Sequence, residues 1–480
     1  MSLSDAPPEI LCRILLLLEP QTILRCSSVS RQWQETIAGC SQIQYQLELW
    51  KAGLVCGPSN SMPTMDKRQA LAKHRRAWRR LEWSNTAVKL PALLRTYAAH
   101  ALVAGIFAFQ ENGPNIYTLP LQEDSRVTKH VLEVDPGTSV LLTMDPTQDL
   151  LAVAYYPVHG SGSLTLAFRS LSVNQPHPMA RHPTIPVGSD DEEELEILMA
   201  DDVVGIAFVG MIRVWNWRTG ALLAVGMIQR NPNSPDTFSS PRTSKWIQTD
   251  LTSNLSPRKG PNSEGAVHVA RLWFPEAERA DGESLWEPSA IGVRSGPVCA
   301  HPIRSSFSPG NENRIYLFVY RLVSPEGENW MRLMVHHRTL AGYVSRYVRQ
   351  SGTDCIDLEW EDWGPRNTRV LPGDELDGLA FPTAHGERVV ILGVDHEDRP
   401  RLEVLNFGVI PGDDQSEDES HTLVLGQSTI RGAPFEDPVT TYLPFRRTVR
   451  AIDADFESVL MDQEHIIVEN QMGTITVVTF

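Results

Sequence analysis

The side chains able to do covalent or metal chemistry are few in this chain and poorly spaced for it. Fourteen histidines and six cysteines are spread over 480 residues. A zinc site needs several His or Cys ligands at short, recurring spacing, and no group here offers them. His336 and His337 are adjacent in a run that reads as a strand, so their rings point to opposite faces. His177 and His182 lie in a Pro-rich loop without further ligands and read as solvent-exposed. Cys12, Cys26, Cys40, Cys56, Cys299 and Cys355 form no Cys-x-x-Cys pair. Phosphate binding would call for Gly-x-x-x-x-Gly-Lys-Ser/Thr or Gly-x-Gly-x-x-Gly, acyl transfer for Gly-x-Ser-x-Gly, zinc hydrolysis for His-Glu-x-x-His. None of these is present in the sequence. The expectation is no catalytic residue, no metal site and no cofactor, hence a protein that is not an enzyme unless scattered Asp and His converge in the fold.

Charge narrows the partners. Forty-three basic against 59 acidic residues give a net charge of −16, which argues against nucleic acid as a partner of the whole chain. The balance is uneven: residues 1–84 carry 11 Lys/Arg and 7 Asp/Glu, a net of +4, which leaves −20 for residues 85–480. Six cysteines are far too sparse for a secreted disulfide scaffold and read as reduced thiols. The apolar run Ile14–Leu18 lacks a basic flank and is interrupted upstream by Asp5, Glu9 and Arg13, so it is no leader peptide. No run reaches the roughly 18 apolar residues of a membrane span. The expected location is cytoplasmic, nuclear or both, with no membrane contact.

The elements behind this pattern begin with three short helices. Asp5 reads as an N-cap, Pro7 and Pro8 open the first helix, and Glu9 sits near its positive end. Ile10, Leu11, Ile14, Leu15 and Leu18 form a stripe too wide for one neighbouring helix. Pro20 starts the second helix, with Ile23, Leu24 and Val29, and Ser30 caps a third that carries Trp33 and Ile37. So many large apolar groups in about 40 residues need cover from elsewhere. Pro7-Pro8-Glu9-Ile10-Leu11, Ile14-Leu15, Leu18, Pro20, Ile23-Leu24, Val29-Ser30-Arg31 and Trp33 together resemble the F-box, with Ala6 where that family usually has Leu. The resemblance implies docking on a Skp-type adaptor and, through it, on a cullin–RING ubiquitin ligase. By position it assigns adaptor binding to Pro8, Glu9, Ile10, Leu11, Ile14, Leu15, Leu18, Pro20, Leu24, Val29 and Trp33.

Two more helices follow. Ile43, Leu47, Trp50 and Leu54 keep a helical period, closed by Gly57-Pro58. Residues 66–82 place Leu71, His74, Trp78 and Leu81 on one face and seven Lys/Arg against two acids around the rest. Such a helix suits nucleic acid, a membrane surface or an import signal; we read it first as a connector. Ala77-Trp78-Arg79, Leu81 and Trp83 resemble a segment carried at this place by F-box proteins of filamentous fungi, ahead of a β-rich body.

Past Pro91 the chain turns to short strands bounded by Gly, Pro, Asp and Asn, with hardly any convincing helix. Ala101–Phe109, Leu150–Tyr155, Ile315–Val323 and Arg388–Val394 are examples. The segments beginning at Leu164, Ile212, Arg332 and Leu402 resemble one another. Ile212-Arg-Val-Trp-Asn-Trp-Arg-Thr-Gly looks like the closing of a WD-type blade with Asn216 in place of Asp. Asp145-Pro-Thr-Gln-Asp-Leu-Leu-Ala-Val resembles the start of a blade's inner strands. About two dozen strands need a closed or repeated arrangement. The Ser/Pro-rich stretch 229–265 reads as a disordered insertion, and the acidic clusters 190–194 and 413–419 as solvated loop tips.

The chain is therefore expected to be multidomain, α plus all-β: an F-box over residues 1–40, a helical linker over 41–90, and a divergent, WD-like β-propeller over 91–480. Seven blades are expected, the ring closing with the strand that ends at Phe480 beside Ala101–Phe109. The expected function is substrate recognition in a Skp–cullin–F-box ligase, the propeller binding a protein target of unknown identity. The alternatives are an F-box scaffold acting without ubiquitin transfer and, less favoured, a propeller enzyme.

Overall fold

The computed structural model describes the chain except residues 1–5, 58–61, 89–98, 228–269, 295–306, 351–355, 374–381, 410–420 and several shorter loop segments. The insertion expected at 229–265 and both acidic clusters lie outside the described residues. Five helices open the chain: α1 (Pro8–Leu15), α2 (Pro20–Ser27), α3 (Arg31–Gly39), α4 (Ser41–Lys51) and α5 (Thr64–Arg80). Proline occupies the first position of α1 and α2, where its missing N–H costs nothing. The N-cap of α1 is Pro7, and Asp5, read as its cap, lies outside the described residues. Ser30 does cap α3, its hydroxyl accepting from the Trp33 N–H at 3.4 Å. Leu54 falls outside α4, in a short strand, Leu54–Cys56, that pairs with Phe307–Pro309.

Among the described residues six antiparallel sheets of four or five strands follow, where seven blades were expected. Numbered as blades from their innermost strands, they start at His100, Val140, Glu196, Glu287, Thr383 and Ser458. The four mutually similar segments noted in the sequence each fall in the third strand of a blade, in blades 2, 3, 4 and 5. Ala101–Phe109 is not one strand but a hairpin. Ala104 and Gly105, at φ 50° and 75°, turn it between His100–Val103 and Ile106–Gln110. The strand Ile475–Thr479 closes the ring through Ser84–Val88, which forms the fourth strand of blade 6, rather than beside Ala101–Phe109. It packs against that hairpin without pairing to it: Ile467, Ile475 and Val477 meet Leu102, Phe107 and Phe109.

Side-by-side residues enter opposite seams. Leu150 packs toward blade 3 and Leu151 toward blade 1; Val389 faces blade 4 and Val390 blade 6; Ile466 faces blade 5 and Ile467 blade 1. Covering on both faces explains why these strands are continuous apolar runs rather than alternating ones. Blade 4 buries Leu317, Val319 and Met334 against blade 5. Its other face, with Phe318, Leu333 and Val370, is covered by two helices, α6 (His337–Arg349) and α7 (Trp360–Asn367). The strand pairs 270–272/356–358 and 428–430/439–441 complete that cover. This corrects the expectation of hardly any convincing helix in the body. It also bears on the missing blade, since α6, α7 and the pair 428–430/439–441 lie between the third and fourth strands of blades 4 and 5.

α7 depends on one close approach. The Trp360 ring lies over Gly364 so tightly that a Cβ there would sit 2.2 Å from it, and Trp363 is wholly buried beside it. Trp363→Ala should cost about 3–5 kcal/mol, read as a lower urea midpoint, because the cavity cannot collapse between a helix and a sheet. Leu223→Ala, on an exposed residue of blade 3, should stay within about 0.5 kcal/mol of wild type.

Candidate functional site

The first three helices sort their apolar residues into two sets. Leu15 and Ile23 point inward to meet Ile37, Ile43 and Leu47, with Cys12, Cys26, Cys40 and Trp33 around them. Burial, with a hydrogen bond and the charge of Cys40, pushes the Cys12 thiol up to about 11, so it stays protonated inside this core. The other set faces outward: Ile10 is 46% exposed, Ile14 38%, Leu24 37% and Val29 72%. Of the residues assigned to docking from sequence, Pro8, Glu9, Ile10, Ile14, Leu24 and Val29 are thus at the surface. Leu18, Pro20 and Trp33 are half-buried. Leu11 and Leu15 are fully buried, which leaves them bracing the helices rather than offering contact. Leu17, 87% exposed, was missed. Its signal was the spacing 10, 14, 17, one face of a helix extended a turn past its end. Exposed apolar residues clustered in one small module mark a partner surface.

That module is bolted to the ring through α5. The Trp78 indole stacks on Phe480 at 3.8 Å, lies under the Arg388 guanidinium at 4.2 Å, and donates its N–H to the Gln463 carbonyl at 3.1 Å. The Gln463 side-chain amide donates to His74 Nε2 at 2.8 Å. An amide nitrogen only donates, so His74 accepts and is neutral. Arg450 lies 3.9 Å over Trp83 and bonds the Leu81 carbonyl. The basic residues Arg346, Arg349, Arg446, Arg447 and Arg450 do not form one patch: the first two ride on α6, while Arg447 is held by Glu403 at 2.8 Å.

The F-box-like family model matches residues 3–42. The N-terminal helices are an F-box-like domain. Such a domain implies binding to a Skp-type adaptor. No curated protein matches the chain in sequence. Solved structures similar at low identity include the following three. BamB from Moraxella catarrhalis is 9% identical over 80% of this chain and 84% of its own, with a TM-score of 0.31. The WD40 domain of SCAP from fission yeast is 8% identical over 83% and 72%, at 0.26. The WD40 β-propeller domain of Doa1 is 10% identical over 83% and 96%, at 0.31. At those scores the likenesses carry no argument, and the propeller that follows the F-box-like domain rests on its own six sheets. Its WD-like turn is visible directly: Asn216 Oδ1 accepts from the Thr219 N–H at 2.9 Å, ahead of Gly220 at φ 75°.

Polar side chains in the ring hold turns. Asp462 accepts from Gly105 N–H at 2.6 Å, from the Glu464 and His465 amides and from His465 Nδ1 at 3.1 Å, which ties blade 6 to blade 1 and saturates the carboxylate. His177, expected to be exposed, is buried: it donates Nε2–H to the Gln148 carbonyl at 2.9 Å and stands edge-on to Trp217. His336 ends a strand and His337 starts α6, so the two are not neighbours on one strand. Among the described residues no three His, Cys, Asp or Glu side chains are grouped to hold a metal ion, and no helix is long and apolar enough to cross a membrane.

Several histidines are held neutral. Burial, helped by Arg388, lowers His74 to about 3; burial lowers His336, His337 and His385 to about 4. Each is charged in the unfolded chain below its ordinary value of 6.5 but stays neutral in the fold, so its contribution is full above 6.5 and is lost as pH falls toward 4. His465 runs the other way: burial lowers it but Asp462 raises it more, so its contribution is present below 6.5 and fades as pH rises through its folded value. The four neutral histidines outweigh the one. The urea midpoint should therefore fall on going from about pH 7.5 to about pH 5, with His74 alone worth about 1–2 kcal/mol of that loss. His74→Gln should flatten the profile; an unchanged slope in that variant would contradict the assignment.

Proposed function

We propose that this chain is the substrate-receptor subunit of a Skp–cullin–F-box ubiquitin ligase. The observation that carries the reading is the exposed strip Ile10, Ile14, Leu17, with Leu24 and Val29, on an F-box-like domain fixed to a propeller. The adaptor covers the strip and, with it, the surroundings of Pro8, Glu9, Leu18, Pro20 and Trp33. Leu11 and Leu15 support the strip from inside. The propeller supplies the surface for a protein target. The chain makes no covalent bond of its own; it raises the effective concentration of the target's lysines near the ubiquitin-conjugating enzyme. The setting is the cytoplasm or nucleus, where thiols such as Cys12 and Cys26 stay reduced.

Geometry favours one end of the ring for the target. In a four-stranded antiparallel blade, first-to-second and third-to-fourth turns share one end, and the other connections share the opposite end. α5 enters Ser84–Val88, a fourth strand, from the first of these ends, and Gln463 in a first-to-second turn meets it there. The opposite end is left for the target.

The direct test is co-purification of the full chain with a Skp-type adaptor. Ile10→Ala with Ile14→Ala should lower affinity at least 100-fold, since buried interface anchors cost about 2–4 kcal/mol each, while circular dichroism stays unchanged because both side chains face solvent in the free chain. Undiminished capture would overturn the docking surface. Proximity labelling with the same double variant should enrich undegraded targets; a ubiquitination pattern identical to wild type would instead support a scaffold without transfer.

A further inference from the structure

Half of the chain's six cysteines meet in one small core. Cys12 comes from α1, Cys26 from α2 and Cys40 from the joint between α3 and α4, and all three pack against Leu15, Ile23, Ile37, Ile43 and Leu47. All are free thiols and none is fully buried, so a small oxidant reaches them from solvent. Among the described residues they do not make a metal-binding group. Adaptor docking gives them no role either, because the exposed strip of the first helix is Ile10, Ile14 and Leu17.

Two of the three are partners. Burial, the hydrogen bond to Cys40 and the charges of Cys40 and Glu9 together hold the proton on Cys12, up to about 11. Cys40 sits where the chain has room to move. It ends α3 and begins α4 in an extended conformation, φ −92° and ψ 104°, outside the hydrogen-bonded interior of either helix. A Cβ on the adjoining Gly39 would meet nothing within 4 Å. A disulfide needs its sulfurs about 2 Å apart, so a thiol pair already sharing a hydrogen bond closes by a small shift. That shift falls on the joint rather than inside a helix. Cys26, by contrast, lies within α2, and Cys56 donates its S–H to the Gly57 carbonyl at 3.5 Å beside Tyr45.

We propose that Cys12 and Cys40 are a peroxide-sensitive thiol pair that closes into an intramolecular disulfide, stapling α1 to the joint between α3 and α4. The oxidant is a hydroperoxide. Because Cys12 keeps its proton and the thiolate is the reactive form, Cys40 takes the oxygen first. Its S–O bond forms as the O–O bond breaks, and water, or an alcohol from an organic hydroperoxide, leaves. Cys12 then attacks the sulfenic sulfur: the S–S bond forms, the S–O bond breaks, and the Cys12 proton departs with the oxygen as water. Two thiols are oxidised by two electrons and one peroxide is reduced. The bridge joins residues 28 positions apart and encloses α2 and α3, so it restricts the opening of these helices. Ile10 and Ile14 share α1 with Cys12, so the oxidation state sets how firmly the outward strip is backed. The pair does not depend on the ligase reading and is tested without an adaptor.

The experiment treats the full, folded chain with hydrogen peroxide, blocks the remaining thiols and maps the tryptic peptides by mass spectrometry. Arg13, Arg25, Arg31 and Lys51 place Cys12, Cys26 and Cys40 on three different peptides, so the partners of any bridge are read directly. The wild type should yield peptide 1–13 linked to peptide 32–51, and dithiothreitol should release both. Cys26→Ser should keep the link, and Cys40→Ser should abolish it. Hydrogen exchange of the oxidised wild type should slow at least about tenfold in α1 and α3 and stay unchanged in α6, since loop closure acts only on the segment it encloses. That comparison is made within one protein and does not depend on how well a variant folds. A bridge that runs mainly to Cys26, oxidation of Cys12 and Cys40 to sulfinic acids without a link, or unchanged exchange in α1 overturns the proposal.

Discussion

The pairing of Ser84–Val88 with Ile475–Thr479 is the constraint from which most of this architecture follows. A ring of sheets is fastened shut when its last sheet borrows a strand from the far end of the chain, which leaves only short, protected edges. Here the borrowed strand comes directly after α5, so closing the ring also fixes where the helices emerge. They emerge at the end that carries the first-to-second turns, where the turn at Gln463 meets His74 and Trp78 of α5. Closure and domain orientation are thus one event rather than two.

Trp78 converts that proximity into rigidity. Its ring is held between an aromatic and a guanidinium face, and its N–H is satisfied by a backbone carbonyl, so no polar atom is stranded when the indole is buried. A second contact, the strand Leu54–Cys56 on Phe307–Pro309, adds a short ladder beside the first, His74 touching both Trp78 and Phe307. Tyr45, Leu49, Leu54 and Leu71 close over Phe307 around it. Side-chain stacking and a backbone ladder together resist rotation better than either alone. The F-box-like domain therefore presents its outward strip at a set angle to the ring, which is what a receptor needs if a bound target is to stand within reach of a partner assembled on that strip.

Much of this could be read directly from residue types. The prolines at 8 and 20 and the serine at 30 mark helix starts because each acts through its own backbone or its nearest neighbours. The recurrence of Leu164, Ile212, Arg332 and Leu402 segments marked third strands because each blade repeats the same environment. Leu71, His74 and Trp78 on one face of the basic helix marked a buried stripe, because period alone separates that face from the rest.

What needed tertiary structure is whatever depends on partners distant in sequence. Blade number was misjudged because α6 and α7 take up chain in a body where hardly any helix was expected; Ala101–Phe109 was read as one strand because the turn at Ala104–Gly105 sits inside a continuous apolar run. Gly342, Gly364 and Pro365 weaken both helices as local signals, and only the uncovered face of blade 4 calls for them. His177 looked exposed beside its prolines; Trp217, forty residues on, buries it. Local chemistry thus determined that this chain is a helical docking module on a β-rich body. Long-range packing decided which apolar residues of that module face out and how many blades close the ring, since neither is set within a short sequence window.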